Sequence, residues 1–458
     1  MVLLAGCGLM DYTAPTADVT REFSAPAPAR DAARNMQWWA AFNDQQLNAL
    51  IQAGLARNLN VAQAIEAVNE ARANARVVGA NDLPEVSVGA AASRGETEGA
   101  GRIVESTSAN ANVSWMIDLF GRNRNARAAA GAQLDSAYLS IDVARLTMMS
   151  AIAQAYVDVR YFQETIALTR QSISSRRESL GLTETKVEYG SAPRLELVQA
   201  QQLVAQAEAQ LPALEVGFDQ AVNRLATLTN QRVATLKAQL QRGAPQPRPR
   251  YAASVGVPAE AIRNRPDVMA AERDYAATVF NVGVARAAFF PSLSLTGNIQ
   301  PINISGGGNT TVWSFGPQLN LPIFNAANNA NLSVAESRAV QSRLAWQSSV
   351  LNAVEEVESA LAAYNRDGRN IAAQQRLVNA AQETVNLSRT SFDIGDTEFF
   401  TVLDAERTLL DARNSLSQAV RQQAQNYVTL SVATAGSGLG PRAPQATVVQ
   451  AATPAAAN

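Results

Sequence analysis

Leu182-Thr-Glu-Thr-Lys-Val-Glu-Tyr-Gly190 recurs as Leu387-Ser-Arg-Thr-Ser-Phe-Asp-Ile-Gly395, 205 residues later. Each copy closes a long helical pattern on a glycine. Ser191 and Pro193 follow the first, Asp396 and Thr397 the second, so the chain turns at both places. Beyond the turns, Val198-Gln-Ala-Gln201 matches Leu403-Asp-Ala-Glu406 at the same offset of 205. Upstream, Leu83-Pro84-Glu-Val-Ser-Val88 matches Phe290-Pro291-Ser-Leu-Ser-Leu295 at 207. So small a drift means duplication with minor loop changes. A chain of 458 residues, long enough for roughly two to four globular domains, is therefore one architecture built twice.

Working outward from the turns, Arg122 to Glu188 and Asn325 to Phe392 contain no proline. At 1.5 Å per residue, roughly 65 to 70 helical residues make a rod on the order of 100 Å, longer than a globule holds. On the returning helices Leu197, Val204 and Leu211 recur every seven residues, as do Val402, Leu409 and Leu416. That period packs helices side by side, and Pro212 is expected to bend the first return. Rich in Ala and Gln, the rods suit a wall wetted on two faces.

Ahead of each rod lie short helices (Trp38 to Val78; Ala259 to Ala288) and two strand-like runs of about ten residues, the length of a tilted membrane strand. Val113, Trp115, Ile117 and Leu119 fall on one face, Asn112, Ser114 and Asp118 on the other. Leu293, Leu295 and Ile299 alternate with Ser292, Ser294, Thr296 and Asn298, and Trp313, Phe315, Leu319 and Leu321 with Ser314, Gln318 and Asn320. The expected organisation is a short apolar leader ending on Cys7 at 1–7, an extended segment at 8–37, a first repeat at 38–240, a Pro-rich linker at 241–258, a second repeat at 259–435 and a disordered tail at 436–458. Within the repeats, strands are expected near 84–94, 108–120, 290–300 and 311–322, long helices at 122–189 and 325–394, and return helices at 194–229 and 398–434.

Composition removes whole function classes. With 38 Lys+Arg against 40 Asp+Glu, a net charge of −2, no basic excess exists for nucleic acid. Zero His and a single Cys remove imidazole bases, Ser-His-Asp and Cys-His triads, and multi-ligand zinc sites. No enzyme, metal or cofactor is expected. Glu355, Glu356 and Glu358 read as a solvated helix face rather than an acid pair. Gly306-Gly307-Gly308 lacks the helix and Lys-Ser/Thr of a phosphate loop and reads as a hairpin tip. No apolar run reaches the roughly 18 residues of a spanning helix. Four strands cannot close a membrane barrel, whose smallest single-chain form has about eight, and open edges are not viable in lipid. Three chains would pool twelve strands, with the rods forming a helical cylinder below: a conduit.

The plan becomes specific at Phe392-Asp-Ile-Gly395-Asp-Thr-Glu-Phe-Phe-Thr-Val-Leu-Asp-Ala405. Together with the duplication and the Leu-Pro and Phe-Pro strand onsets, it resembles the TolC/OprM family of outer-membrane efflux factors, nearest the lipoprotein (OprM or NodT) branch. Cys7 after Leu4-Ala5-Gly6 resembles that branch's lipobox, although the apolar stretch before it is short, so the expected signal is a truncated one. The resemblance implies an N-terminal diacylglycerol and fatty acyl group on Cys7, with Gly8 directing export to the outer membrane. It also implies an α+β membrane protein: an internally duplicated protomer of a homotrimeric, twelve-stranded β-barrel in outer-membrane lipid, continued by a long periplasmic α-helical barrel. Its partners would be a periplasmic adaptor protein and an inner-membrane pump, for which a resistance-nodulation-division exporter is placed ahead of an ATP-driven system. Its work would be passive export of drugs or other small molecules, gated at the periplasmic tips.

In the family an aspartate at the position of Asp404 helps form the constriction, and Arg407 matches a nearby arginine. Around a three-fold axis such an Asp forms an anionic ring, and the Arg can pair with it and hold helices inward. The alternative is a surface i,i+3 ion pair worth under about 1 kcal/mol. Gln199 replaces Asp404 in the first repeat, while Thr397 and Thr401 stand where some relatives carry Arg and a second Asp. Tyr189, Gly190, Ser191, Phe392, Gly395 and Asp396 are expected to face the adaptor, or the glycines only to end helices. A rival of another class is a scaffold or adhesive lipoprotein whose strands form a soluble sheet, a reading that detergent extraction and pore conductance would separate from a duct.

Overall fold

The computed structural model describes residues 8–16, 23–27, 37–97, 102–250, 252–253, 255, 258–305 and 307–434. Cys7 and the 436–458 tail lie outside them. After a short 3-10 helix, Trp38–Phe42, come α1 (Gln45–Arg57) and α2 (Leu59–Ala80), then strands β1 (Glu85–Thr97) and β2 (Arg102–Ile117). The first rod is α3 (Arg122–Glu188), its return α4 (Arg194–Thr229), followed by α5 (Val233–Leu240). The second half repeats the order as α6 (Pro258–Arg263), α7 (Pro266–Ala287), β3 (Ser292–Ile304), β4 (Gly308–Asn320), α8 (Ala326–Asp393) and α9 (Phe399–Ala433).

The rods are 67 and 68 residues long, about 100 Å each, and both end within a residue or two of the expected positions. Their tips are built alike. Gly190 (φ 68°) and Gly395 (φ 78°) take the left-handed conformation. Gly190 N donates to Val187 O and Ser191 N to Lys186 O, at 3.0 and 2.8 Å. Gly395 N donates to Phe392 O and Asp396 N to Ser391 O, at 3.1 and 2.8 Å. This nested pair of bonds stops a helix where only glycine turns without strain. Helix α4 continues unbroken through Pro212. Val204, Val402 and Leu409 are buried in the helix seams as the seven-residue spacing requires.

The strands form one antiparallel sheet in the order β1-β2-β3-β4. They differ from expectation at their ends. All four extend further toward the hairpin tips, because the ladder goes on where charged and polar residues also fall on the otherwise apolar face: Arg94 pairs Glu105 and Asn303 pairs Asn309, and alternating hydropathy carries no signal there. Strand β2 stops at Ile117 rather than running to 120, because Asp118 leaves the sheet and its Oδ2 accepts from Arg124 N at 3.0 Å, capping the first turn of α3. Strand β4 stops at Asn320, ahead of Pro322. The linker between the end of α5 at Leu240 and the start of α6 at Pro258 matches the expected 241–258 to within a residue.

The main core lies between sheet and tips. Trp38, Leu47, Ile51, Ile152, Tyr156, Leu225, Leu240, Leu361, Tyr427 and Val428 join α1, α3, α4, α5, α8 and α9. Arg160 is buried at its edge, its Nε donating to the Tyr156 hydroxyl (3.0 Å), which donates to Asp44 Oδ2 (2.6 Å). Asp44 also caps α1 through Gln46 N and Leu47 N. The described N-terminal residues lie along this body: Met10 N donates to Asn125 Oδ1 (2.8 Å) and Ser24 N to Glu358 Oε1 (2.9 Å). Of the acidic trio of α8, Glu355 and Glu356 are exposed as expected, with Glu356 pairing to Arg265 at 2.7 Å, while Glu358 is half-buried under Ser24.

Candidate functional site

The sheet has two unlike faces. In register across it, Val86, Val113, Gly297 and Phe315 form one row, and Val88, Ala111, Ile299 and Trp313 another. Val88, Trp313 and Phe315 are 79%, 74% and 68% exposed, an apolar band left uncovered by the described residues. The rows between them, pointing the other way, read Ser87, Asn112, Asn298 and Ser314, with Asn298 Nδ2 donating to Asn112 Oδ1 at 2.5 Å. One side suits hydrocarbon and the other water. Trp115, whose Nε1 donates to Asp82 O (2.8 Å), and the stacked Phe120 and Phe290 rings (5.0 Å) mark the end of the band next to the helices. No helix among the described residues is long and apolar enough to cross a membrane.

At the opposite end, Asp404 and Arg407 do meet. Arg407 Nη2 lies 2.6 Å from Asp404 Oδ1, both side chains about half exposed on the open face of α9. Gln199, the first-repeat counterpart, is half-buried on α4. Tyr189, Gly190, Ser191, Gly395 and Asp396 are exposed at the tips. Phe392 is not. Its ring packs on Phe399 (5.2 Å) in a small apolar cluster with Ala200, Val402 and Leu403, and Lys186 Nζ sits 3.7 Å above it, joining the two tips. An aromatic ring at a helix end is more stable covered than wet, so Phe392 is half-buried at the tip. The apolar groups exposed instead are Tyr189, Leu195, Ile394 and Phe400. The Phe399-Phe400 doublet carried that signal: consecutive helix positions point about 100° apart, so one ring must face out.

Against known proteins, the outer membrane efflux protein family model matches residues 50–231 and 257–436, one stretch for each repeat. The chain belongs to the outer membrane efflux protein family. It is 38% identical to Nodulation protein T of Rhizobium leguminosarum bv. trifolii, over 96% of both chains. It is 30% identical to the Cation efflux system protein CusC of Escherichia coli K12, over 94% of this chain and 97% of that one. Among solved structures, the outer-membrane channel OprN superposes with a TM-score of 0.85 at 27% identity, covering 95% of this chain and all of that one. The open-state Neisseria gonorrhoeae MtrE outer membrane channel superposes at 0.82, with 28% identity and coverage of 94% and 98%. As an outer membrane efflux protein, the chain is the duplicated α+β protomer of a trimeric channel. Its four strands contribute to the outer-membrane barrel and its helices extend into the periplasm as the exit duct of an efflux system. That assignment covers the apolar face of the sheet with lipid and excludes the soluble scaffold.

Proposed function

We propose that three copies close a passive duct for small molecules, held shut at its periplasmic end by Asp404 and Arg407 with Gln199 beside them. The observation that carries this reading is an imbalance between equivalent helices. α3 buries 22 of its residues and α8 only 10. Near its start α3 buries Asn125, Ala129, Ala132 and Ser136, with Ala132 set against Ala276 and Ala277 of α7. Aligned on Phe120 and Phe324, their counterparts Asn329, Ser333, Glu336 and Val340 are all exposed. What α7 does for α3 inside the chain, α2 of a neighbouring copy does for α8, and the ring closes with the barrel.

Tyr189, Leu195, Ile394 and Phe400 at the tips are the contact for a periplasmic adaptor, which connects the duct to an inner-membrane pump of the resistance-nodulation-division type. Cys7 carries the diacylglycerol and fatty acyl anchor. Met10 is bonded to Asn125 in the first turn of α3, directly below the sheet, and three extended residues reach only about 10 Å, so the anchor meets the leaflet nearest the helices. The relatives named for cation efflux, antibiotic efflux and pyoverdine export each match over 90% or more of this chain, which favours a duct whose cargo is chosen by the pump.

The test is planar-bilayer conductance of the purified trimer beside its Asp404→Ala, Arg407→Ala double variant. A small wild-type conductance that rises several-fold in the variant supports pore and gate together. Equal conductance keeps the pore and removes these two residues from the gate. No conductance in either, from folded and inserted protein, sinks the duct.

A further inference from the structure

Nine buried side-chain polar atoms have no hydrogen-bond partner among the described residues, and four of them belong to α3 and α9, two helices in contact. Thr169 Oγ1 and Arg176 Nε lie on α3, and Glu406 Oε2 and Asn414 Oδ1 on α9. Folded proteins leave few such atoms, since a buried polar group without a partner keeps its desolvation cost uncompensated. Of these, Glu406 lies close enough for its charge to act on Arg176, yet neither Arg176 Nε nor Glu406 Oε2 has a partner, a pair of groups that can match in another arrangement. Beside these helices lies a half-open polar cleft of about 200 Å³, lined by Ser172 and Ser175 of α3, Gln382 and Arg389 of α8, and Glu406 and Arg413 of α9.

Glu406 is the group with a choice. It is 8% exposed, its Oε1 accepts from Arg389 Nη2 at 2.6 Å, and its Oε2 is empty-handed. Arg176, 5% exposed, donates through Nη1 to Leu203 O (2.9 Å) and leaves Nε idle. Burial draws its guanidinium pKa below the usual range, while the charges of Glu406 and Asp411 act against that and Arg407 with it. Nearer the sheet the same two helices are pinned. Arg421 Nε and Gln425 Nε2 of α9 donate to Asp158 Oδ1 of α3 at 2.7 and 2.8 Å, with Arg421 over the Tyr161 ring at 4.8 Å. The lower part of α9 therefore has a fulcrum above it and room beside it.

We propose that Glu406 is a two-position latch, paired with Arg389 in the arrangement observed and with Arg176 once α9 swings back against α3. Residues 404 and 406 point about 200° apart on a helix. Drawing Glu406 toward α3 thus withdraws Asp404, and with it the Arg407 pair, from the open face. Arg389 holds the duct narrow and Arg176 receives Glu406 when it widens. The inference rests on the gate reading above, and its test separates the two.

Wild type, Arg389→Ala, Arg176→Ala, the double variant and Arg176→Lys are compared as trimers by conductance. In parallel, spin labels on unnatural residues at exposed Gln171 and Ser415 report the α3–α9 distance without involving Cys7. Arg389→Ala is expected to shorten that distance and raise conductance several-fold. Arg176→Ala should do neither, the double variant should return to the wild-type distance, and Arg176→Lys, which keeps the charge, should retain wild-type behaviour. Shortening by both alanine variants alike, or by the double variant as much as by Arg389→Ala, overturns the latch. Shortening in Arg389→Ala with unchanged conductance upholds the latch and overturns the gate.

Discussion

Arg265 shows how single residues fasten the repeats. It is 8% exposed; Nε and Nη2 grip Asp267 at 3.0 and 2.7 Å, Nη2 also reaches Glu356 Oε2 at 2.7 Å, and Nη1 donates to Ala433 O at 3.1 Å. One side chain thereby ties the start of α7 to α8 and to the end of α9. Burial alone would raise the Asp267 pKa, but the hydrogen bonds and charge of Arg265 outweigh it and hold the carboxyl below its ordinary 3.8. A carboxyl with a depressed folded pKa contributes stability that is present above pH 3.8 and lost as the pH falls through the lower folded value. Asp267→Asn should therefore lower the temperature at which the helical circular dichroism collapses by a few degrees at pH 7, and should narrow the loss that wild type suffers on acidification. A variant that matches wild type at both pH values would show that Asp267 is carried by Glu356 and does not matter.

At the scale of elements, the sheet turns a two-residue period into two solvents. Val88, 79% exposed in the apolar band, and Ser87, its neighbour on the wet face, make the comparison. Val88→Arg should destabilise the folded trimer by about 2–4 kcal/mol, the cost of a cation near mid-bilayer, while Ser87→Arg should cost about 1 kcal/mol or less and shift ion selectivity instead. Denaturant titration in vesicles and reversal potentials read the two effects, and equal costs would place lipid on neither face. The element order was legible from sequence because the long helices announce themselves by length and by glycine stops, and the strands by alternation. Alternation fails where both faces are wet, so the ladder from Arg94 to Glu105 was invisible, and so was the departure of Asp118 to cap a helix. Asp404 and Arg407 were legible as a pair because their spacing is local. The contacts of Glu406 with Arg389 and of Lys186 with Phe392 were not, because they join helices whose relative rotation no single-helix pattern states.

The whole molecule is quasi-repetitive, and the bond inside the chain foretells the bond between chains. Where the repeats meet, Trp115 of β2 stands opposite Leu295 of β3, and Phe120 stacks on Phe290. Carrying each partner through the duplication places Leu319 of β4 opposite Val88 of the next copy, and Phe324 against the next copy's Leu83. All four side chains are exposed in the single chain, Phe324 at 92% and Leu83 at 66%, and Leu319 and Val88 share the lipid-facing side, as the register demands. An edge strand in hydrocarbon has to be paired, so this junction is where three open sheets become one barrel. Leu319→Cys with Val88→Cys, joined by a short bismaleimide, should yield covalent dimers and trimers on a denaturing gel, with the single variants yielding only monomers. Moving one cysteine by a residue, to Asn320, points it into the lumen and should cut the yield sharply. Strong linkage from Asn320 but not Leu319 would mean that the chains meet in a register the duplication does not dictate, and the barrel would need a different closure from the one its own repeats provide.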